Sequence, residues 1–157
     1  MSEVLLPIVI IDEIYQQIRK RRSGNEQGGI LLGYRKENAL QITNYTLPQK
    51  WDYASPVLFN RSTRGHKKLA HDEWRRSGRI VDWLGEWHTH PGGVAIPSIT
   101  DRQSWFRLVR HTKNPMIFLI FSDQDMYAGL QQLVPAILKQ LKLVERNEDA
   151  ILFGAEI

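Results

Sequence analysis

The stretch EWHTHPGGVAIPSITD, Glu86 to Asp101, holds two histidines one residue apart, then a Pro-Gly-Gly break, then a serine followed three residues later by an aspartate. The residues before it, RIVDWLGEWHTH, have the alternation of a strand, and TDRQSWFRLVRH after it has the spacing of a helix. Side chains at i and i+2 of a strand project from one face, so His88 and His90 point the same way. The break lets the chain turn back, and Asp101 then begins a helix near the same point.

Two imidazole nitrogens and a carboxylate oxygen form a three-ligand set that leaves a fourth tetrahedral position for water, which is the pattern of a catalytic zinc. The sequence has no cysteine, so a closed thiolate site is excluded. Ser98 to Asp101 also has the pattern of a helix N-terminus, with Ser98 or Thr100 as N-cap and Asp101 or Gln103 closing a capping box. S-x-x-D alone favours the cap. The occurrence of S-x-x-D after H-x-H, with seven residues between them, favours a metal site instead.

The pattern H-x-H-x7-S-x2-D resembles the signature of the JAB/MPN metalloprotease family position by position. The resemblance implies that His88, His90 and Asp101 bind one Zn²⁺ per chain, with water as the fourth ligand. It assigns Ser98 to the serine that stabilises the oxyanion or holds the metal-bound water. The segment EQGGILLG also matches the family's E-x-G-G-x-L-x-G, which makes Glu26 the expected general base.

Hydrolysis of an amide needs a proton acceptor that later protonates the leaving amine, and two carboxylates qualify. The resemblance favours Glu26, and Gly28 and Gly29 would let the backbone after it approach the metal loop closely. Glu86 is the rival base, because it lies two residues before His88 on the same strand face. Glu86 could instead accept a histidine N–H or serve as a structural pairing residue.

The rest of the chain mixes strand and helix patterns. Strands are expected in GGILLGYR and LQITNYTL, which would form one hairpin, and in NPMIFLIFS and DMYAGLQQLV, which would form a second. WDYASPVLFN is expected to be extended up to Asn60. Helices are expected over IIDEIYQQIRKRR, which would end at Ser23-Gly24-Asn25, and over TRGHKKLAHDEWRRSG. Pro135 to Arg146 fits either, and we favour a helix. The pattern predicts an α+β (α/β-like) fold. The resemblance implies one JAB/MPN domain over residues 1–157, a mixed curved β-sheet flanked by helices and similar to cytidine deaminases.

Composition narrows the class of protein. Hydrophobic residues make up 42% of the 157 and charged residues 24%, as in ordinary globular proteins. Neither a membrane helix nor a signal peptide is indicated, so we expect a cytoplasmic protein without a membrane partner. The net charge is +4, with basic clusters at RKRR, RSTRGHKK and RRSGR. Acidic residues are interspersed, so these clusters indicate solvated faces and nucleic acid is not an expected partner.

The family resemblance implies a JAMM-type zinc hydrolase that cleaves peptide or isopeptide bonds after the C-terminus of a ubiquitin-like or ubiquitin-like-conjugated protein. This short form is most similar to stand-alone bacterial JAB proteases of antiphage operons, above all the deconjugating type of CBASS systems. Implied partners are a protein substrate with an extended C-terminal tail, a conjugating enzyme and a nucleotidyltransferase.

Two other functions fit the sequence less well. A non-catalytic MPN scaffold is the main alternative, but such members typically lose a histidine or the aspartate, and this chain retains them. A zinc nucleobase deaminase is disfavoured, because those enzymes use cysteine ligands and this sequence has none.

Overall fold

The computed structural model describes residues 2–20, 24–48, 53–54, 59–60, 63–78 and 80–155, with the backbone alone at 53–54, 59–60 and 63–67. Three helices lie in these residues: α1 (Ile8–Lys20), α2 (Thr63–Arg76) and α3 (Ile99–Thr112). None of the helices in the described ranges is both long enough and apolar enough to cross a membrane. The strands are β1 (Glu3–Pro7), β2 (Gly28–Arg35), β3 (Ala39–Tyr45), β4 (Tyr53–Ala54), β5 (Phe59–Asn60), β6 (Asp82–Thr89), β7 (Met116–Phe121), β8 (Met126–Gln131), β9 (Leu138–Gln140), β10 (Lys142–Arg146) and β11 (Ala150–Gly154).

Nine of these strands form one mixed sheet in the order β10-β11-β1-β3-β2-β6-β7-β8-β9. The pairs β1–β3 and β6–β7 are parallel, and the remaining neighbours are antiparallel. Strands β4 and β5 pair only with each other. The mixed, curved sheet with its flanking helices confirms the predicted α+β architecture.

The sheet is covered on both faces at its centre, which explains why β7 reads MIFLIF without a polar residue. Alternate β7 side chains enter different clusters. Ile117, Leu119 and Phe121 pack in the cluster that contains α1, whereas Met116, Phe118 and Ile120 pack in the cluster that contains α3. Strand β6 lies between β7 and β2, so its position is set from both sides.

The pairing of β2 with β6 positions the candidate site. Gly28 lies opposite His88 and Gly29 opposite Trp87, so the residues just before β2 extend toward the end of β6. A Cβ on Gly29 would lie 2.1 Å from the Thr46 carbonyl oxygen, which explains why glycine is needed there. The close approach at Gly29 is therefore to Thr46 and Trp87 rather than to the metal loop that we expected.

Most predicted elements are confirmed, including both hairpins, β2–β3 and β7–β8, and the three helices. The predicted helix over Pro135 to Arg146 is wrong, because that segment forms the two edge strands β9 and β10. Its apolar residues fit helical spacing, but pairing with β8 and β11 decides the outcome. Of the expected extended stretch at 51–60, the structure describes β4 and β5; the predicted stop at 23–25 lies partly outside the described residues.

Candidate metal centre

The two histidines lie where β6 ends. The pairing of β6 with β7 continues beyond the strand, because the His90 N–H donates to the Phe121 carbonyl over 2.9 Å. His88 and His90 project on one face and their Nε2 atoms are 3.1 Å apart. Thr89 between them is 2% exposed and points to the other face. The strand thus holds both imidazoles at one point, as the H-x-H spacing predicts.

The turn after His90 orients its ring. Gly93 N–H donates to the His90 carbonyl over 3.1 Å, with Pro91 and Gly92 (φ 67°) at the central positions of a type II-like turn. The turn brings the Val94 carbonyl oxygen within 3.0 Å of His90 Nδ1. A carbonyl oxygen only accepts, so Nδ1 carries the ring proton and Nε2 presents its lone pair to the site. Sequence reasoning missed Val94, since the group that acts is a backbone atom.

Asp101 is fixed by the N-terminus of α3. Ser98 is the N-cap: its Oγ accepts the Asp101 N–H over 3.0 Å, and Asp101 Oδ2 accepts the Ser98 N–H over 2.8 Å. The same carboxylate lies 3.4 Å from His88 Nε2 and 3.3 Å from His90 Nε2. The capping box therefore aims the Asp101 carboxylate at the two histidines, so the cap and the metal-ligand pattern are compatible in the same residues.

The donor set fits zinc. Bonds of 2.0–2.2 Å in a tetrahedron separate neighbouring ligand atoms by about 3.3–3.6 Å. The two Nε2 atoms are 3.1 Å apart, with Asp101 Oδ1 3.4 Å from that of His88 and Oδ2 3.3 Å from that of His90. Among the described residues, His88, His90 and Asp101 form the group whose ligand atoms all lie close enough to share one ion. The buried Trp105, stacked on Phe118 at 4.6 Å, has its ring centroid 6.0 Å from that of His88. Trp105 is thus a core residue, and its ring packs beside the site.

The charges of the site support one another. Burial opposes ionisation of Asp101, but hydrogen bonds from His88 and His90, made when Nε2 of these rings carries a proton, outweigh it and hold the pKa of the carboxyl well below its usual range. The hydrogen bond to Asp101 in turn raises the pKa of His90 against the opposing effect of burial. A carboxylate that stays ionised is ready to bind a cation at neutral pH.

The two candidate bases occupy different places. Glu26 Oε1 lies 3.9 Å from His90 Nε2, and its side chain is 12% exposed. Glu86 lies opposite Ile30 in the β2–β6 pairing and is outside the group of close ligand atoms in the described chain. The structure thus brings Glu26 from a distant part of the sequence to the edge of the histidine pair. A cavity of about 420 Å³ lies next to the end of β6, lined in part by Arg19, Gln27 and Thr89.

Comparison with known proteins identifies the family. A model described as prokaryotic homologs of the JAB domain matches residues 7–133. The chain belongs to this family. Two relatives carry the name "CD-NTase/cGAS isopeptidase": the one from Pseudomonas aeruginosa is 35% identical over 76% of this chain and 77% of its own length, and the one from Escherichia coli is 32% identical over 78% and 80%. The resemblance drawn from the H-x-H-x7-S-x2-D motif is confirmed.

The fold of this JAB chain also has a solved counterpart. The solution structure of a Desulfitobacterium hafniense protein superposes with a TM-score of 0.65 over 88% of this chain and 89% of that one. The sequences are 22% identical, so the likeness is one of fold alone.

Proposed function

We propose that this JAB-family protein is a JAMM-type zinc metalloprotease, an isopeptidase that separates a conjugated protein from its target. One observation carries the proposal: two histidines and an ionised aspartate converge at zinc-ligand spacing, with a shielded glutamate 3.9 Å from one of the histidines. A solely structural metal site would not need that fourth group. The single domain that we propose extends over residues 1–157.

His88 Nε2, His90 Nε2 and the Asp101 carboxylate would hold one Zn²⁺. When bound, zinc polarises a carbonyl and lowers the pKa of a water molecule to about 7. Two backbone groups of the chain hold these ligands in the orientation that this role requires. The Val94 carbonyl fixes the His90 tautomer, and the Ser98 N–H holds the Asp101 carboxylate.

Glu26 would move the proton. Hydrolysis adds water across the amide: the carbonyl carbon gains an oxygen, and the nitrogen gains a proton and leaves as an amine. Glu26 Oε1 accepts the proton that the attacking water loses and returns it to the leaving nitrogen. The low exposure of Glu26 limits exchange of that proton with solvent.

Ser98 would steady the reacting oxygen. Its Oγ accepts the Asp101 N–H through a lone pair, so its own hydroxyl proton can be donated elsewhere. Donated to the carbonyl oxygen of the scissile amide, it would stabilise the charge that develops there. Donated to the attacking water, it would hold the nucleophile in place. Either role is compatible with the position of Ser98, which the capping box holds beside Asp101.

The names of the relatives suggest the substrate. We propose that the chain cleaves the bond between the C-terminus of a CD-NTase, a nucleotidyltransferase, and an amine on its target, in bacterial antiphage defence. A conjugating enzyme would form the bond that this protein removes, and both would work in the cytoplasm. An extended C-terminal tail suits a narrow approach to the site, because such a tail can pair with a strand edge.

A defined conjugate tests the proposal. The last ten residues of a bacterial CD-NTase would be joined through their C-terminal carboxyl to the lysine ε-amine of a fluorescent peptide. We expect release of the fluorescent peptide, its loss on chelation and its return with added zinc. A conjugate with the same ten residues in scrambled order is the matched control for tail recognition.

Two outcomes would contradict the proposal. Intact conjugate after prolonged incubation with the zinc-loaded chain would favour a scaffold that acts through protein contacts. Release that continues in the presence of chelator would place the hydrolysis outside the His88, His90 and Asp101 group.

A further inference from the structure

The last rung between β2 and β6 is unusual. Thr89 N–H donates to the Gln27 carbonyl over 2.9 Å, as an antiparallel ladder requires. The returning bond does not use the backbone of Thr89: the Gln27 N–H donates to Thr89 Oγ1, also over 2.9 Å. A side-chain hydroxyl therefore takes the place of a carbonyl at the point where the two strands stop pairing.

This rung lies directly before the candidate base. The register that pairs Gly28 with His88 brings Gln27 beside Thr89 and continues to Glu26 beside His90. Glu26 is the first residue beyond the rung, and its Oε1 reaches to 3.9 Å from His90 Nε2. The direction in which Glu26 leaves the sheet is thus set by the bond that ends the ladder.

The rung is well shielded. Thr89 is 2% exposed and Gln27 5% exposed, so little of the hydroxyl or of the N–H is open to water, even though both residues border the cavity described above. A buried N–H that loses its acceptor is costly, and the segment would shift to find another one. Thr89 also points away from the metal ligands, so its hydroxyl acts on the site only through Gln27 and Glu26.

We propose that Thr89 is a positioning residue, which holds the Glu26 carboxylate against the metal ligands through the Gln27 N–H. The proposal rests on the proposed function in one respect, that Glu26 is the base. Thr89→Val would keep the shape of the side chain and remove the acceptor, whereas Thr89→Ser would keep the hydroxyl.

Thr46 provides a matched control. It is 6% exposed, and its Oγ1 accepts the Ile30 N–H of the same strand over 2.9 Å. Thr46 and Thr89 thus make the same kind of buried bond to β2 or its extension. The bond at Thr46 lies four residues along from Glu26, whereas the bond at Thr89 is adjacent to it.

The kinetic experiment compares Thr89→Val, Thr89→Ser and Thr46→Val, each loaded with zinc and assayed on the fluorescent conjugate. We expect Thr89→Val to lower kcat about 10–100-fold with KM and zinc content unchanged, since a displacement of about 1 Å at a reacting group can cost about 100-fold. Thr89→Ser should restore kcat to within about threefold. Thr46→Val should lower the melting temperature as much as Thr89→Val does, yet keep kcat. Equal loss of kcat in Thr46→Val and Thr89→Val would overturn the proposal, because stability alone would then explain it.

Amide hydrogen exchange gives a readout that does not depend on activity. In the zinc-loaded wild type and in Thr89→Ser we expect slow exchange of the Gln27 N–H, and in Thr89→Val fast exchange confined to Gln27 and its neighbours. Unchanged protection of Gln27 in Thr89→Val would overturn the positioning role. If Thr89→Val does not fold, Thr89→Ala is measured in its place, with the same expected exchange. If the wild type cleaves no conjugate, the proposed function fails, and the exchange result still decides whether Thr89 holds this segment.

Discussion

Replacing Glu26 with glutamine keeps the shape of the side chain and removes the proton acceptor beside the metal ligands. A positioned general base contributes about 10²–10⁴-fold, so kcat should fall by that factor, which corresponds to about 3–5 kcal/mol in the barrier. The change also removes a negative charge whose oxygen lies 3.9 Å from His90 Nε2. A cation held by His90 would lie close to this carboxylate, and the attraction between opposite charges would be lost. Zinc affinity should therefore fall too, and kcat must be measured at saturating zinc.

The assay is single-turnover release of the fluorescent peptide, with the bound zinc counted in the same samples. Glu86→Gln is the matched control, because Glu86 lies two residues from His88 on the same face of β6. We expect Glu86→Gln to stay within about threefold of the wild type. Loss of release in Glu86→Gln, with zinc-loaded Glu26→Gln still active, would rule out Glu26 as the base.

Three further changes probe the ligands and the cap. Asp101→Asn keeps an oxygen for the Ser98 N–H but loses the ionised carboxylate. Zinc affinity, measured by chelator competition, should therefore fall at least about 100-fold, with the melting temperature nearly unchanged. Unchanged zinc affinity would exclude Asp101 as a ligand. Ser98→Ala removes the N-cap acceptor and should lower the free energy of denaturant unfolding by about 1 kcal/mol and kcat by about 10²-fold. Ser98→Thr should restore both. A loss of stability with kcat intact would show that Ser98 is only a helix cap. The hydrogen bond between His90 and Asp101 raises the pKa of His90 above the usual value of about 6.5, so protons compete with zinc for this ligand from a higher pH. Zinc affinity should be full above that pKa and fall about tenfold per pH unit below it. A zinc affinity that stays constant down to pH 5 would contradict this.

The candidate site could be predicted from the sequence because its parts obey local rules. The i, i+2 spacing of His88 and His90 depends only on the geometry of a strand, and the pattern from Ser98 to Asp101 depends only on the first turn of a helix. The sequence alone could not separate cap from ligand, because the carboxylate that closes the cap also lies beside both histidines. The position of Glu26 was different: the family resemblance indicated it, and no local rule places it beside His90.

The sheet edges could not be predicted in the same way. The residues from Leu138 to Arg146 have apolar positions that fit a helix as well as a strand, and their partners β8 and β11 are what make them strands. Strand β1 was missed for a similar reason, because five residues carry little periodicity and its partners are β3 and β11. The position of the Val94 carbonyl depends on the turn after His90, and the bond to the Thr89 hydroxyl depends on the register of β2 against β6. The spacing of residues along the sequence gives neither.

The proposed function requires one zinc, held by His88, His90 and Asp101, for cleavage of the conjugate. Titration of zinc into the metal-free chain, with bound zinc and peptide release followed together, measures this requirement. We expect both to rise in parallel and level off at about one zinc per chain, and neither to rise in Asp101→Ala. Full release before any zinc is added, or a chain that binds its zinc and releases no peptide, would contradict it.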